Sequence, residues 1–254
     1  MAALITRRRL IAGIAAGSSS IALSACAGSS DSTFFQDKVL SVGEWLNYRM
    51  QRLIVGNALA QEFAQSELSP VFRTNGNVNP GTPEYLRWAA SQFVDWRLRI
   101  DGLVRSPASY SLAQLRAMPS RTQITRHDCV EGWSAIGKWT GVQLGRLLKQ
   151  VGLLPNARFV VFHCADNFDG TPYYESIDLV DAFHPQTLLA YAMNGQPLSI
   201  GHGAPLRLRV ERQLGYKHAK YVMRVEAVAS LAGIGDGQGG FWEDEAGYYW
   251  YAGV

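Results

Sequence analysis

After residue 80, apolar residues in this chain come in short runs, each closed by a cap or a turn former. That rhythm admits strands and short helices and little else. Thr82-Pro83-Glu84 reads as an N-cap with proline at the first helical position. Trp96-Arg97-Leu98-Arg99-Ile100 alternates like a half-buried strand, and Asp101-Gly102 turns it. Ser111 caps a short helix that stops before Pro119, and Arg121 to Thr125 alternates again. Thr140-Gly141-Val142-Gln143 is expected to cap a further helix closed by Gly152. Arg158 to Cys164 is a continuous apolar run, expected to be a buried strand. Thr187 to Met193 reads as a short helix closed by Asn194-Gly195, and Pro205 to Val210 and Tyr221 to Val228 as strands. The segment from Gly233 to Val254 reads as ordered but irregular. Upstream, Ser41-Val42-Gly43-Glu44 fits a capping box for a helix over about 42–65, with Trp45, Met50, Leu53 and Ile54 as core contacts. The mixture is that of one α+β domain.

The first 26 residues stand apart from this pattern. Thr6-Arg7-Arg8-Arg9-Leu10-Ile11 is a twin-arginine motif, followed by an uncharged run from Leu10 to Ala25 that is short for a membrane span. Leu23-Ser24-Ala25-Cys26 has the form of a lipobox, with Cys26 as the lipidated residue. These residues predict the twin-arginine export machinery as a partner and a bacterial periplasmic or lipid-anchored location. Any membrane contact would be through that anchor. The route carries folded proteins, commonly ones that receive a cofactor before export. Residues 27–40 read as a tether, and 41–254 as the functional domain.

Removing the signal changes the charge. The whole chain has 24 basic and 21 acidic residues; the signal holds three arginines and no acid, so the remainder is balanced at 21 of each. A neutral chain lacks the concentrated basic surface that nucleic-acid binding requires.

Two clusters carry candidate chemistry. Arg126-His127-Asp128-Cys129-Val130-Glu131-Gly132-Trp133 places a thiol two residues from a carboxylate. In an extended loop both would face one site, the thiolate as a soft metal ligand and Glu131 moving protons beside it. A buried thiol, or a disulfide between Cys129 and Cys164, explains the cysteine equally well at this point. A zinc site of His127, Cys129, His163 and Cys164 is a less favoured alternative, because its adjacent ligands would strain a tetrahedron. The second cluster runs from His202-Gly203-Ala204-Pro205-Leu206-Arg207 to Gln213-Leu214-Gly215-Tyr216-Lys217-His218-Ala219-Lys220. Glycines beside basic residues suit a phosphate group.

Taken together, Trp96–Val104, Asp128–Trp133 with Trp139-Thr140-Gly141, and His202–Lys220 resemble the molybdopterin-binding domain of the sulfite oxidase family, over roughly residues 70–230. The resemblance is greater to its bacterial periplasmic branch, the catalytic subunits of the molybdenum-dependent methionine sulfoxide reductases. It implies a single molybdopterin-binding domain with mixed sheets and short helices. Cys129 would be the protein ligand to molybdenum, and Glu131 an acid near it. Arg207, His218, Ala219 and Lys220 match positions that hold the pterin and its phosphate. His202 falls where the reductases have an asparagine. Arg73, Thr74 and Asn75 lie in the N-terminal loop that touches cofactor or substrate. Cys164 lies near the spacing of another cofactor contact. Lys217 joins the cofactor-binding set. Arg73, His127, Tyr216 and Lys217 are candidates to orient a polar substrate.

The implied cofactor is molybdenum with one pterin dithiolene and no nucleotide extension. The implied activity is oxygen-atom transfer with a small-molecule substrate and an external electron carrier, either a membrane haem protein or a cytochrome. The Cys-Val-Glu-Gly-Trp loop differs from the Cys-Ala-Gly-Asn of sulfite oxidases. With no immunoglobulin-like dimerisation domain and no Cys-x-x-Cys-His motif, this favours a monomeric reductase of a sulfoxide or related S- or N-oxide over sulfite oxidation. A non-catalytic exported lipoprotein is the remaining alternative.

Overall fold

The computed structural model describes residues 41–54 and 58–254. The twin-arginine motif, the lipobox and the tether lie outside the described residues. The chain divides between Gly56 and Asn57 into two compact units. In the first unit, α1 spans Ser41–Ile54. The helix expected to reach residue 65 is therefore shorter: residues 58–64 are non-helical, and Glu62 bridges to Thr125 within the second unit. Trp45 and Met50 are 57% and 46% exposed, so the expected core contacts are not made; Arg49 instead lies over the Trp45 ring. Leu53 and Ile54 lie among the side chains not described.

The second unit, Asn57–Val254, is α+β, with two sheets and short helices. Helix α2 (Pro83–Ala90) begins as its sequence indicates, the Thr82 side chain accepting from the Tyr85 amide. Strands β1 (Arg97–Gly102) and β2 (Ala108–Ser111) follow, then α3 (Leu112–Ala117), opened by a Ser111–Gln114 capping box. A long hairpin, β3 (Arg121–Asp128) and β4 (Ser134–Gln143), leads into α4 (Leu144–Val151). Then come β5 (Phe159–Phe168), β6 (Thr171–Asp178), α5 (Leu179–Ala182), β7 (Leu188–Met193), β8 (Gln196–Pro197), β9 (Arg207–Arg209), β10 (Val222–Val228) and α6 (Phe241–Ala246).

One sheet has the order β2-β1-β10-β5-β6; the other runs β3-β4-β7-β8, with β9 also pairing β7. The β1–β10 pair is parallel and the other pairs are antiparallel. The larger of two buried hydrophobic clusters joins the two sheets. Leu98 and Ile100 of β1, Val160 and Phe162 of β5, Leu189 of β7 and Leu208 of β9 pack with Leu144, Leu147, Leu148 and Val151 of α4. Each of those fully buried aliphatics contributes about 1.5–3 kcal/mol relative to exposure.

Three local expectations change. Thr187–Met193 is not a helix, because Leu188–Met193 is β7, inserted between β4 and β9 and almost wholly buried. Leu, Ala and Met favour a helix locally, but pairing on both edges outweighs a preference of a few tenths of a kcal/mol per residue. Asn194 and Gly195, at φ 51° and 81°, make the tight turn into β8 instead. Thr140 is a strand residue rather than a cap: α4 starts from Gln143, and the Leu144 amide donates to the Thr187 carbonyl. The Gly233–Val254 segment contains α6 and is firmly attached, as described below.

Candidate active site

Strand β3 ends at Asp128, and a tight turn follows. The Gly132 amide donates to the Cys129 carbonyl, and the Cys129 amide to the Trp133 carbonyl. The loop is thus a turn and not extended; Gly132, at φ 85°, makes the reversal possible. The turn leaves the Cys129 thiol buried while Glu131 is exposed, its carboxylate accepting from Trp133 Nε1 at 3.1 Å. Both residues still line one cavity of about 150 Å³, partly open to solvent. Burial pushes the Cys129 thiol up. Asn75 Nδ2 points to Cys129 Sγ at 3.7 Å, so the N-terminal loop meets the β3–β4 turn at the thiol.

The cavity lining carries two bases, Arg207 and Lys220, and two acids, Glu131 and Asp166. Arg207, at the start of β9, is fully buried and donates, among the described residues, to the carbonyls of His202 and His218, at 3.1 and 3.3 Å. Its Nε has no partner among the described residues. Lys220 Nζ donates to the carbonyls of Asn75, Asn77 and Gly201. Neither cation forms a salt bridge among the described residues. Burial, then the neighbouring Arg209, pushes Arg207 down to about 9; burial, then Arg207, brings Lys220 down to about 7. A buried arginine and a part-buried lysine, neither in a salt bridge among the described residues, suit an anion.

His218 lines the same cavity. Its Nε2 donates to the carbonyls of Val210 and Gln213, which leaves Nδ1 without a partner among the described residues. His127 lies beneath, its Nδ1 accepting from Arg209 Nη1 at 3.0 Å, with Arg209 gripped by Glu211. Burial holds both imidazoles well below their usual range, hence neutral. A Cβ on Gly215 would sit 2.5 Å from the His127 ring, so glycine is required there for close approach.

Asp166 was not singled out by sequence. The β5–β6 register shifts between His163 and Asn167, and beyond that irregularity Asp166 lines the cavity. Burial pushes its carboxyl up to about 6, and Oδ1 has no partner among the described residues. Asp166 and Lys220 therefore give the cofactor-free protein two opposing pH limbs. An acid raised in the fold binds more protons folded than unfolded, so its contribution is lost as pH rises from about 4 to about 6, by up to about 3 kcal/mol. A lysine lowered in the fold does the reverse, so stability rises from pH about 7 towards 10. Melting temperature against pH is expected to lose the first limb in Asp166→Asn and the second in Lys220→Met. Retention of both limbs in both variants would show these groups are ordinary.

The other sequence candidates are placed as follows. His202 does not line the cavity: Nε2 donates to the Phe72 carbonyl, Nδ1 accepts from Ser199, and its own carbonyl holds Arg207. Lys217 does not reach the cavity either. It is fully buried against Glu175 and Glu243, and its place beside Tyr216 in the sequence gave no sign of this. Ala219 is buried beside the site, its carbonyl accepting from the Leu208 amide. Arg73 and Thr74 are exposed and outside the lining; Thr74 packs near Gly201. Cys164 is on β5 and faces a separate shallow depression with Arg87 and Met223. Cys129 and Cys164 are both free thiols, so no disulfide joins them. The zinc set does not assemble: His163 pairs with Glu226 at 2.8 Å, and no three His, Cys, Asp or Glu side chains converge for a metal among the described residues.

The sequence model of the oxidoreductase molybdopterin-binding domain matches residues 86–232. The chain belongs to this family. It is a molybdopterin-dependent oxidoreductase. A protein of Azospira oryzae named "Putative protein-methionine-sulfoxide reductase subunit YedZ1" is 37% identical over 231 residues, covering 91% of this chain and 81% of that one. The protein-methionine-sulfoxide reductase catalytic subunit MsrP of Xanthomonas axonopodis pv. citri is 37% identical over 147 residues, 54% of this chain. This chain spans 46% of that relative's length. Among solved structures, the sulfane dehydrogenase SoxCD of Paracoccus pantotrophus aligns with TM-score 0.49 and 24% identity over 54% of this chain and 39% of its own.

The residues present fit a molybdopterin. A thiol suited to a soft metal and two cations, Arg207 and Lys220, that form no salt bridge among the described residues and suit a phosphate line one cavity.

Proposed function

We propose that this chain reduces an organic sulfoxide of the methionine sulfoxide class, R₂SO + 2e⁻ + 2H⁺ → R₂S + H₂O. The observation that carries this reading is the shared cavity of Cys129, Arg207 and Lys220. Cys129 would hold the molybdenum, and Arg207 and Lys220 the pterin phosphate. His218 Nδ1, Asn75 and the loop carbonyls beside them are placed to accept from or donate to the rest of the cofactor. When bound, that group supplies two-electron oxygen-atom transfer. The chain's own residues position and protonate. Asp166 Oδ1 can hold a proton near neutral pH, and exposed Glu131 can pass protons from solvent. The names of the Azospira and Xanthomonas relatives support the choice of substrate.

The protein is exported by the twin-arginine route, acts in the periplasm or from a lipid anchor at Cys26, works as a monomer, and takes electrons singly from a haem-bearing membrane partner or a cytochrome. Among the described residues no helix is long and apolar enough to cross a membrane, so such an electron partner would be a separate protein or segment.

The test is a steady-state assay of purified holoenzyme with methionine sulfoxide and a reduced viologen, beside sulfite with a one-electron acceptor. Molybdenum and extracted pterin are measured on the same sample. Stoichiometric molybdenum with sulfoxide reduction is expected. Oxidation of sulfite without reduction of sulfoxide would assign the site to the opposite direction of turnover.

A further inference from the structure

The cavity has an aromatic side. Tyr173 lies 5.9 Å from Phe168, Phe168 5.3 Å from Trp242, Trp242 6.2 Å from Tyr248, and Tyr248 5.0 Å from Tyr216. The Tyr173 hydroxyl donates to the Tyr216 carbonyl at 3.0 Å, which joins the two ends. All five rings line the cavity that also holds Cys129. Two of the five, Trp242 and Tyr248, lie beyond residue 232, outside the residues that the family's sequence model matches.

The segment that supplies them is fastened and does not swing. Lys217 Nζ binds Glu243 of α6 and Glu175 of β6, at 2.5 Å for the latter, all three side chains fully buried. Trp250 Nε1 donates to Ser176 Oγ at 2.9 Å, and the Tyr216 hydroxyl to the Tyr249 carbonyl at 2.6 Å. Phe241 stacks on Phe168 at 4.9 Å. The aromatic belt is therefore a preformed wall, which costs little to order when a ligand arrives.

We propose that this belt, through Trp242 and Tyr248, receives the apolar flank of a thioether-borne sulfoxide and separates organic oxides from inorganic oxyanions. This rests on the sulfoxide-reductase reading above and names the residues that select its substrate. Aromatic faces and edges attract methyl, methylene and sulfur groups next to an S–O bond. A sulfate- or sulfite-like anion has no such flank and gains nothing from the rings; it would depend on the cations alone.

The experiment measures binding of L-methionine sulfone, a dead-end dioxide analogue, and of inorganic sulfate to holoenzyme by calorimetry. Turnover of methionine sulfoxide is followed in parallel. Trp242→Ala is expected to weaken the sulfone by about tenfold or more and sulfate by less than about threefold. Trp242→Phe should recover most of the loss. Tyr248→Leu, which removes a ring with fewer packing partners, should weaken the sulfone in the same direction and by less. Equal weakening of both probes, no change in either variant, or no sulfone binding to the unaltered enzyme would overturn the proposal. If the enzyme turns over sulfoxide but the sulfone ignores both variants, the wall is wrong and the reaction stands. If it binds the sulfone through the wall but reduces no sulfoxide, the reaction reading fails and the wall stands.

Discussion

Cys129→Ser is expected to lose more than about 100-fold in turnover while the protein stays folded and keeps its cofactor. Loss of groups that only support a metal's ligands costs about 10–100-fold. Loss of the one protein ligand should cost more. Serine fills nearly the same space, and among the described residues the one side-chain partner of the thiol is Asn75 at 3.7 Å, a weak contact. A stability change within about 1 kcal/mol follows. The pterin would keep its hold on Arg207 and Lys220, which are untouched. Molybdenum content, extracted pterin, circular dichroism and sulfoxide reduction on one preparation decide the matter. Full activity in Cys129→Ser would remove the thiol from the metal. Loss of cofactor together with activity would show that Cys129 holds the group and leave open no separate role in turnover.

Lys217→Met is expected to destabilise the unit by about 3–5 kcal/mol, the cost of stranding buried partners of a broken ion pair. Glu175 and Glu243 are fully buried around Lys217, and burial, then the nearness of Glu243, already pushes Glu175 well up. Without the ammonium the two carboxyls cannot both ionise. In a unit of this size that loss corresponds to a fall in Tm of roughly 10 °C. Because Glu243 belongs to α6, the aromatic wall should loosen first, visible as early exposure of Trp242 and Trp250 in tryptophan emission. The triple variant Lys217→Met, Glu175→Gln, Glu243→Gln should recover much of the stability, since no buried charge is left alone. A Tm within 2 °C of the parent in Lys217→Met (about 1 kcal/mol or less) would show that the triad does not fasten the segment.

Lys217 also shows where sequence reading stops. It sits in a run of basic and glycine residues that suits a phosphate, beside His218 and Lys220, which do reach the cavity. Whether a lysine in such a run meets a phosphate or two carboxylates depends on partners 42 and 26 residues away, Glu175 and Glu243. Asp166 is the converse case. The apolar run along β5 marks a buried strand, but the register irregularity after His163 brings the Asp166 carboxylate to the cavity. A bulge is a property of two paired strands, and one strand's residues do not encode it alone. Thr187–Met193 failed as a helix for a related reason: its residues favour helix locally and its neighbours β4 and β9 make it a strand.

The local signals held where the physics is local. Thr82 and Ser111 cap their helices because a side-chain oxygen reaches an amide three residues on. The strands β1, β3, β5 and β10 fall where alternation or an apolar run put them. The sequence by itself determined the α+β class, the thiol at Cys129 and the basic residues Arg207 and Lys220, because each depends on residue type and near neighbours. Only the tertiary structure decided that those three share a cavity with Asp166, that Lys217 fastens α6 and leaves the cofactor to others, and that a late segment walls the site with aromatic rings. Those outcomes depend on contacts between residues far apart in the chain, where burial and pairing energies exceed every local preference.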